Sequence, residues 1–288
     1  MKAEPRSNGQ ASRLVGVVGS PSTASRVRWS SAREICDLLQ VCYQSAPDGD
    51  ELRFPHRKLR PGQVLYREGQ PFEAVYLIVS GFFKVQMTDI TGSERVIAFP
   101  ARHDVLGLDG ICVNRHTAEV RALTDCEVVA MPFRQVLTLS HACENFEQAL
   151  YRAMSRELVC AHQGVPGVMR AEAKVARFIE AQTARYAALG YSAHRFLLVM
   201  TRRDIGSYLG LTLETVSRAL SALSQAGVIA IRLREVVVLQ PQALAHWQRH
   251  DDAFAAGKPE VTGDAQLPAL AAAGWWPAVP APGLRQLQ

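Results

Sequence analysis

Short runs of alternating apolar and polar residues dominate the chain between Leu52 and Phe133. The clearest runs are residues 83–87 and 118–122, where apolar side chains occupy every second position. A period of two is typical of strands that are buried on one face. Turn signals separate the runs, at Arg60-Pro61-Gly62, Glu68-Gly69, Ser80-Gly81 and Thr91-Gly92. This spacing predicts a small antiparallel β-roll or barrel.

A period of three to four residues replaces this alternation from Phe146 onward. The apolar positions form one stripe: Phe146, Leu150, Met154, Leu158, Ala161, Val165 and Val168. A single helix between two domains cannot bury such a stripe alone. We therefore expect a dimerisation helix over residues 141–170, with four positions on the seam with a second copy: Leu150, Leu158, Ala161 and Val165. The alternative is that the stripe packs only on the roll.

A third unit is predicted over residues 171–248, and it contains two helices joined by a very tight turn. Thr201 can cap the first helix with Asp204 at its third position, which resembles a capping box. Gly210 ends this helix, and Thr212 caps the next one. Two capped helices separated by so short a turn are typical of a helix-turn-helix.

The second of these helices has two distinct faces. Its apolar face packs on the first helix and consists of Val216, Leu220 and Leu223. A different face carries short and charged side chains: Glu214, Ser217, Arg218 and Ser221. Gly227 ends the helix, and the apolar runs 228–231 and 236–239 predict a two-stranded wing.

Such a helix is suited to enter the major groove of double-stranded DNA. Arg218 would donate to guanine O6 and N7, Glu214 would accept from cytosine N4, and Ser217 would contact a base edge or a thymine methyl. Three other residues are placed for the phosphate backbone: Arg202, Arg203 and Thr212. The alternative is an ordinary pair of helices in which Glu214 and Arg218 form a solvated ion pair.

Composition adds little to this interpretation. The 288-residue chain is 48% hydrophobic and has a formal net charge of +5, which suits a polyanionic partner but does not specify one. The sequence contains no run of 18 apolar residues, so we expect no membrane span and a cytoplasmic protein. It also contains no Gly-rich phosphate loop, Gly-x-Ser-x-Gly motif or metal triad, so we do not expect an enzyme.

Six cysteines are scattered along the chain, at positions 36, 42, 112, 126, 143 and 160. None forms a Cys-x-x-Cys pair. Because cytosolic thiols are kept reduced, we do not expect a disulfide framework.

The segment from Thr201 to Arg218 resembles the helix-turn-helix of the CRP/FNR family of bacterial regulators almost position for position. The likeness extends over the long helix and over the roll, from Pro61-Gly62-Gln63 to Met131-Pro132-Phe133. It implies an α+β fold with an antiparallel, cyclic-nucleotide-binding-like β-roll, a dimerisation helix and a C-terminal winged helix-turn-helix. It also implies a homodimer that works with RNA polymerase.

The recognition residues indicate a branch of the family. The pattern Glu-x-x-Ser-Arg, here Glu214, Ser217 and Arg218, is similar to the FNR branch, whereas the cAMP-binding branch has Gly where Ser217 stands. The resemblance implies a palindrome of TTGAT-like half-sites whose centres lie about one helical turn apart. It also implies control of anaerobic, nitrogen-oxide or respiratory genes.

The resemblance argues against a cyclic nucleotide as the effector. The cAMP-binding branch holds its ligand with a Glu in a Gly-Glu-Leu-Gly turn and with an Arg-Ser pair on a later strand. The corresponding stretches here are Gly-Leu-Asp-Gly at 107–110 and His-Thr-Ala at 116–118. Arg115 is one position away and would point to the other face of its strand. We therefore do not expect cAMP binding.

The resemblance leaves an iron–sulfur cluster open. The oxygen-sensing FNR branch ligates a [4Fe–4S] cluster with three N-terminal cysteines and one in the roll. Cys36 and Cys42 match the last two of the N-terminal set, whereas Arg33 and Val129 occupy the other two positions. Two cysteines remain as candidate roll ligands: Cys112 and Cys126. Because a cubane needs four thiolates or substitutes, the alternative is that these cysteines are small buried apolar residues.

The sequence thus predicts a sequence-specific DNA-binding regulator whose effector is unknown. The alternative effectors are another small molecule, haem or the redox state of thiols such as Cys160. The predicted units are a flexible arm (1–50), a β-roll sensor (51–140), the dimerisation helix (141–170), the DNA-binding domain (171–248) and a disordered tail (249–288). Because Leu158 and Ala161 are not acidic, we expect a dimer with or without oxygen.

Overall fold

The computed structural model describes residues 27–88, 92–163 and 169–247, without the side chains of residues 160–163. The N-terminal unit opens with β1 (Trp29–Ser31), α1 (Ala32–Leu38) and α2 (Pro47–Asp50). Its remaining strands are β2 (Arg53–Leu59), β3 (Val64–Tyr66), β4 (Ala74–Ser80), β5 (Phe83–Thr88), β6 (Glu94–Ala98), β7 (Val105–Leu106), β8 (Glu119–Ala122) and β9 (Cys126–Pro132).

These strands form two antiparallel sheets that pack as a β-roll. One sheet has the order β1-β2-β9-β4-β7 and the other the order β3-β8-β5-β6. Val75, Leu77 and Ile78 on β4 are fully buried, because this strand lies between β9 and β7 inside its sheet. The predicted antiparallel roll is confirmed.

The alternation predicted for residues 83–87 is only partly correct. Phe83 is fully buried, but Gln86 is buried as well and Met87 is 38% exposed. The pairing of β5 with β6 shifts register between Val85 and Gln86. Such a bulge locally disrupts the ladder and increases strand twist, so a strict inward and outward alternation does not survive it.

The predicted arm over residues 1–50 needs correction where the structure describes it. Strand β1 pairs with β2, and Ile35 and Cys36 on α1 have no exposed surface. Helix α1 begins with a capping box, in which the Ser31 hydroxyl accepts from the Glu34 amide and the Glu34 carboxylate accepts from the Ser31 amide. Residues 29–38 therefore belong to the roll, whereas residues 1–26 lie outside the described residues.

The predicted long helix is divided in two. Helix α3 (Phe133–Ala142) and helix α4 (Glu144–Gln163) are separated by Cys143, whose backbone is extended. Four residues of the first turns of α4 are buried in the core of the roll: Phe146, Ala149, Leu150 and Ala153.

This packing corrects one predicted seam position. Leu150 is 8% exposed because its own roll covers it, so it cannot be a main contact with a second copy. Leu158, two turns later, is 62% exposed. The Ala161 side chain and Val165 lie outside the described part of the chain. The alternative that the apolar stripe packs on the roll thus holds for the first half of the stripe.

The C-terminal unit is a winged helix domain. Its elements are α5 (Ala171–Ala188), β10 (Arg195–Leu197), α6 (Arg202–Leu209), α7 (Leu213–Gln225), β11 (Ile229–Arg232), β12 (Glu235–Val238) and α8 (Pro241–Trp247). The wing is a three-stranded sheet with the order β10-β12-β11, since β10 adds to the predicted two-stranded hairpin. Within the described ranges, none of the helices is both long enough and apolar enough to cross a membrane.

The β-roll and the winged helix domain share one core. Val96 and Phe99 of the roll lie in the same buried cluster as Phe178 and Ile205 of the DNA-binding unit. Phe99 also contacts the Tyr208 ring, with centroids 5.4 Å apart. The two units are therefore docked through apolar contacts that β6 and the residue after it make with α5 and α6.

Polar contacts also join the two units. Lys84 on β5 donates to the Asp204 carboxylate at 2.9 Å, with both side chains largely buried. The Val96 amide donates to the Ser207 hydroxyl at 2.9 Å. Burial alone would raise the pKa of Asp204, but hydrogen bonds from Thr201 and Lys84 outweigh it and lower that pKa below its ordinary value.

We expect Lys84→Met to reduce the free energy of unfolding by about 1–3 kcal/mol near neutral pH, since it leaves the Asp204 carboxylate without its ammonium partner. Because the folded-state pKa of Asp204 is lowered, its contribution is present above the ordinary carboxyl pKa and is lost as pH falls through the folded-state value. Urea unfolding of wild type and Lys84→Met should therefore converge on acidification.

Lys58→Met is the matched control, because Lys58 is exposed on β2. Its unfolding free energy should stay within about 0.5 kcal/mol of wild type. A Lys84→Met variant as stable as the control at pH 7 would contradict a stabilising role for the pair.

Candidate DNA-binding interface

The first helix of the helix-turn-helix, α6, is started by the predicted capping box. The Thr201 hydroxyl accepts from the Asp204 amide at 3.0 Å, and the Asp204 carboxylate accepts from the Thr201 amide at 3.0 Å. Aspartate has one methylene fewer than the usual glutamate but still closes the box. Asp204 thus holds the helix start and the contact with Lys84 at the same time.

The turn between α6 and α7 depends on two glycines. Gly210 has a φ of 66°, in the left-handed region that glycine adopts without strain. Gly206, which we did not identify from the sequence, allows the turn to approach α6. A Cβ atom at Gly206 would lie 2.6 Å from the Leu211 carbonyl oxygen. The available signal was a glycine in the middle of a helix, where it costs stability unless packing requires it.

The second helix, α7, is capped and oriented as predicted. The Thr212 hydroxyl accepts from the Thr215 amide at 3.2 Å. The buried face consists of Val216, Ala219, Leu220 and Leu223, each at most 1% exposed. The opposite side exposes Glu214, Arg218 and Ser221, and leaves Ser217 half-buried. Burial of one face therefore determines which side chains point to solvent.

Local hydrogen bonds determine the charge of Glu214 on the polar face of α7. The pKa of Glu214 is lowered because its carboxylate is hydrogen-bonded by its own backbone amide and by the Thr212 hydroxyl, and Arg218 adds a smaller effect. Glu214 is thus an ionised acceptor at neutral pH. Since Arg218 is the least of these causes, an ion pair along the helix accounts for little of the environment of Glu214.

Two of the three residues expected at the phosphate backbone lie at the start of α6. Arg202 and Arg203 are both exposed in its first turn. Arg202 also donates to the Ser217 hydroxyl at 3.2 Å, so it reaches the polar face of α7. The Thr212 hydroxyl is engaged in the helix cap and contacts the Thr215 hydroxyl at 3.0 Å.

The wing adds two cations that we did not single out from the sequence. Arg232 and Arg234 are exposed on either side of Leu233, which has a φ of 58° and is 89% exposed at the tip. A tip of this kind brings positive charge beyond the body of the domain, where a phosphate backbone can reach it.

The part of the roll that would hold a cyclic nucleotide does not fit one. The His116 ring stacks on Tyr66 with centroids 3.7 Å apart and is 3% exposed. The Asp109 carboxylate accepts from the Thr117 amide at 2.6 Å, so the two stretches that correspond to the ligand-holding ones of the cAMP-binding branch bond to each other. Arg115 donates to the Gly69 carbonyl oxygen at 2.9 Å.

The four candidate cluster cysteines do not converge. Cys36 is a residue of α1 and lies in one buried cluster. Cys126 lies in a different buried cluster, where its thiol donates to the Phe82 carbonyl oxygen at 3.2 Å. Cys42 and Cys112 are exposed. Among the residues that the structure describes, no three His, Cys, Asp or Glu side chains are grouped so as to hold a metal ion. The described thiols therefore do not fit a four-cysteine [4Fe–4S] site.

The fold and the polar face of α7 together define a DNA-binding transcription regulator with a winged helix-turn-helix. Residues 56–142 match the family model of the cyclic nucleotide-binding domain, and residues 173–247 match that of the Crp-like helix-turn-helix domain. The chain belongs to the CRP/FNR family of transcription regulators.

Its relatives include regulators from several bacteria. The transcriptional regulatory protein btr of Bordetella pertussis is 39% identical over 189 residues, which cover 65% of this chain and 78% of that protein. The transcriptional activator protein anr of Pseudomonas aeruginosa is 32% identical, with 73% of this chain and 86% of that protein covered. The structure of FixK2 from Bradyrhizobium japonicum matches with a TM-score of 0.62 and 28% identity, over 70% of this chain and 100% of that chain.

Proposed function

We propose that the protein acts as a homodimer that binds a palindrome of TTGAT-like half-sites and reads it with Glu214, Ser217 and Arg218. The observation that carries this proposal is the exposed polar face of α7, held in place by the buried apolar face of the same helix. Because the helix cannot rotate without exposing that apolar face, the three side chains are presented to a major groove in a fixed order.

The chemistry of each side chain matches one base edge. Arg218 can donate two hydrogen bonds to guanine O6 and N7. Ionised Glu214 can accept from the cytosine amino group. Ser217 can bond a base edge once Arg202 leaves it, since that contact is a single hydrogen bond of 3.2 Å at the surface.

The phosphate backbone would be held by a second set of residues. We assign this role to Arg202, Arg203 and Thr212, and add the wing arginines Arg232 and Arg234. Such contacts set the position of the domain and contribute to affinity without specifying sequence.

Pairing of two chains is supported by the exposed half of α4. Tyr151, Leu158 and Val159 are 58%, 62% and 48% exposed. Tyr151 and Leu158 lie seven residues apart, which is one coiled-coil heptad, and Val159 is adjacent to Leu158. We propose that this face, with Ala161 and Val165, forms the dimer seam.

The proposed organisation follows from these roles. Residues 29–140 form the sensor roll, 141–170 the dimerisation segment and 171–248 the DNA-binding domain. The regulator would act in the cytoplasm with RNA polymerase on anaerobic, nitrogen-oxide or respiratory genes, in line with the names of its FNR-like relatives, which include a fumarate and nitrate reduction regulatory protein. Catalysis is not part of this proposal.

Selection of binding sites from random duplexes tests the proposal as a whole. The purified full chain should enrich a two-fold symmetric site with TTGAT-like arms. Enrichment of the half-sites that the cAMP-binding branch of the family binds, or of no symmetric site, would contradict the proposal.

We expect Arg218→Ala to weaken binding to the selected site by about 1–3 kcal/mol and to relax the preference at one base pair of each half-site, because a bidentate contact with guanine is lost. Fluorescence anisotropy on the selected site and on single-base variants measures both effects. Arg60→Ala, an exposed arginine in a turn of the roll, is the control and should bind like wild type. Equal loss of affinity for selected and random DNA would exclude base readout by Arg218.

Arg203→Ala should behave differently, since a phosphate contact carries no sequence information. We expect weaker binding to all duplexes and a slope of log K against log salt that is reduced by about 1. Titrations at several salt concentrations measure the slope. An unchanged slope would show that Arg203 does not contact a phosphate.

We expect sedimentation of a dimer both in air and without oxygen, and a monomer for Leu158→Arg, because an arginine at the seam buries a charge without a partner. Leu137→Arg is the matched control, since Leu137 is 45% exposed on α3 and away from the seam. A monomeric wild type would contradict the proposed dimer, and a dimeric Leu158→Arg variant would place the interface elsewhere.

A further inference from the structure

Four positively charged side chains line a single cleft on the β-roll. The cleft is formed by the end of β2, the turn that follows it, β3 and β8, and has a volume of about 500 Å³. A volume of this size is typical of sites for small molecules. None of the described residues that line the cleft is acidic, and its cations are Arg57, Lys58, Arg67 and Arg121.

Backbone carbonyl groups hold two of the guanidinium groups in place. Arg57 donates to the Leu65 carbonyl oxygen at 3.1 Å, and Arg121 donates to the Gly62 carbonyl oxygen at 3.0 Å. A guanidinium group has five N–H donors in a rigid plane, so these bonds leave other donors for a ligand. The two arginines are therefore oriented before a ligand arrives, which lowers the entropic cost of binding.

The carboxylates that contact the cleft do not balance its charge. Glu119 accepts from Arg121 at 2.5 Å and lies 3.8 Å from Arg67, so one carboxylate serves two cations. Within the described ranges, Arg57 and Lys58 have no carboxylate at ion-pair distance. The four cations and Glu119 together leave an excess of three positive charges.

A second carboxylate near the cleft, that of Glu127, contacts other groups. Glu127 lies opposite Lys58 in the pairing of β2 with β9. Its carboxylate contacts the His56 ring at 2.6 Å and lies 4.0 Å from Arg28, an arginine that does not line the cleft. Because like charges held close together repel one another, the arrangement of cations favours binding of an anion.

We propose that this cleft is a binding site for a small polyphosphate, either free or as the phosphate chain of a nucleotide. Guanidinium groups match phosphate oxygens with paired hydrogen bonds, and the Lys58 ammonium adds a compact point charge. A ligand with three or more negative charges balances the excess of cations. The lining residues include neither Asp109 nor His116, so this cleft is not the site that corresponds to the cyclic-nucleotide site of the family. The inference does not depend on the assignment of the DNA-reading residues.

Calorimetric titration of the full chain with inorganic triphosphate tests the proposal. The buffer contains no phosphate and no divalent cation, and about 150 mM salt screens exposed charges over distances beyond about 8 Å. We expect saturable binding of one triphosphate per chain. A parallel titration with ATP separates the two sources, since equal affinity indicates a site for the phosphate chain alone and tighter binding of ATP indicates a site for a nucleotide. The absence of saturable binding of both would overturn the proposal.

Variants at exposed positions locate the site. Arg67→Gln and Lys58→Met should each weaken triphosphate binding about tenfold, because each removes a charge-assisted hydrogen bond to the ligand. Arg60→Ala is the matched control, since it removes an exposed arginine from the adjacent turn that does not line the cleft. This variant should bind triphosphate like wild type.

The same variants show where else the anion could bind. Unchanged affinity in both Arg67→Gln and Lys58→Met would overturn the assignment of the cleft. Loss of triphosphate binding in Arg203→Ala would place the anion on the DNA-binding face and would overturn the proposal as well. Weaker DNA binding by the two cleft variants, without saturable triphosphate binding by wild type, would identify the cleft as a surface for the DNA backbone instead.

Discussion

Burial of the apolar face of α7 is the constraint on which the rest of the DNA-binding unit depends. Val216, Leu220 and Leu223 are almost completely removed from water, and each such side chain stabilises the fold by about 1.5–3 kcal/mol. Any rotation of the helix about its axis would expose some of them. The orientation of Glu214 and Arg218 toward solvent is thus a consequence of packing on the other side of the helix.

The same helix pair is joined to the roll by a polar contact inside an apolar interface. Asp204 caps α6 and also binds Lys84, so the start of the helix and the docking of the domain use one carboxylate. Apolar contacts such as those of Val96 and Phe99 stabilise the docking but allow small shifts of one unit relative to the other. A buried ion pair allows few such shifts, because a displaced Asp204 or Lys84 would be left as an uncompensated buried charge.

The sensor side shows how a family fold can retain its framework and change its chemistry. Asp109 and His116 come from the two stretches that correspond to the ligand-holding ones of the cAMP-binding branch, and here His116 stacks on Tyr66 beside the Asp109 carboxylate. The cysteines that the structure describes are divided between two buried clusters and the surface instead of surrounding one cluster site.

The sequence by itself determined the elements with strong local signals. The caps at Thr201 and Thr212, the left-handed Gly210 and the two faces of α7 follow from side-chain chemistry within a few residues, and the candidate DNA-reading residues follow from them. Only the tertiary structure decided which contacts are made at long range. Leu150 packs on its own roll, α1 joins the core and Lys84 meets Asp204, because each depends on segments that are brought together by packing and not by spacing along the chain.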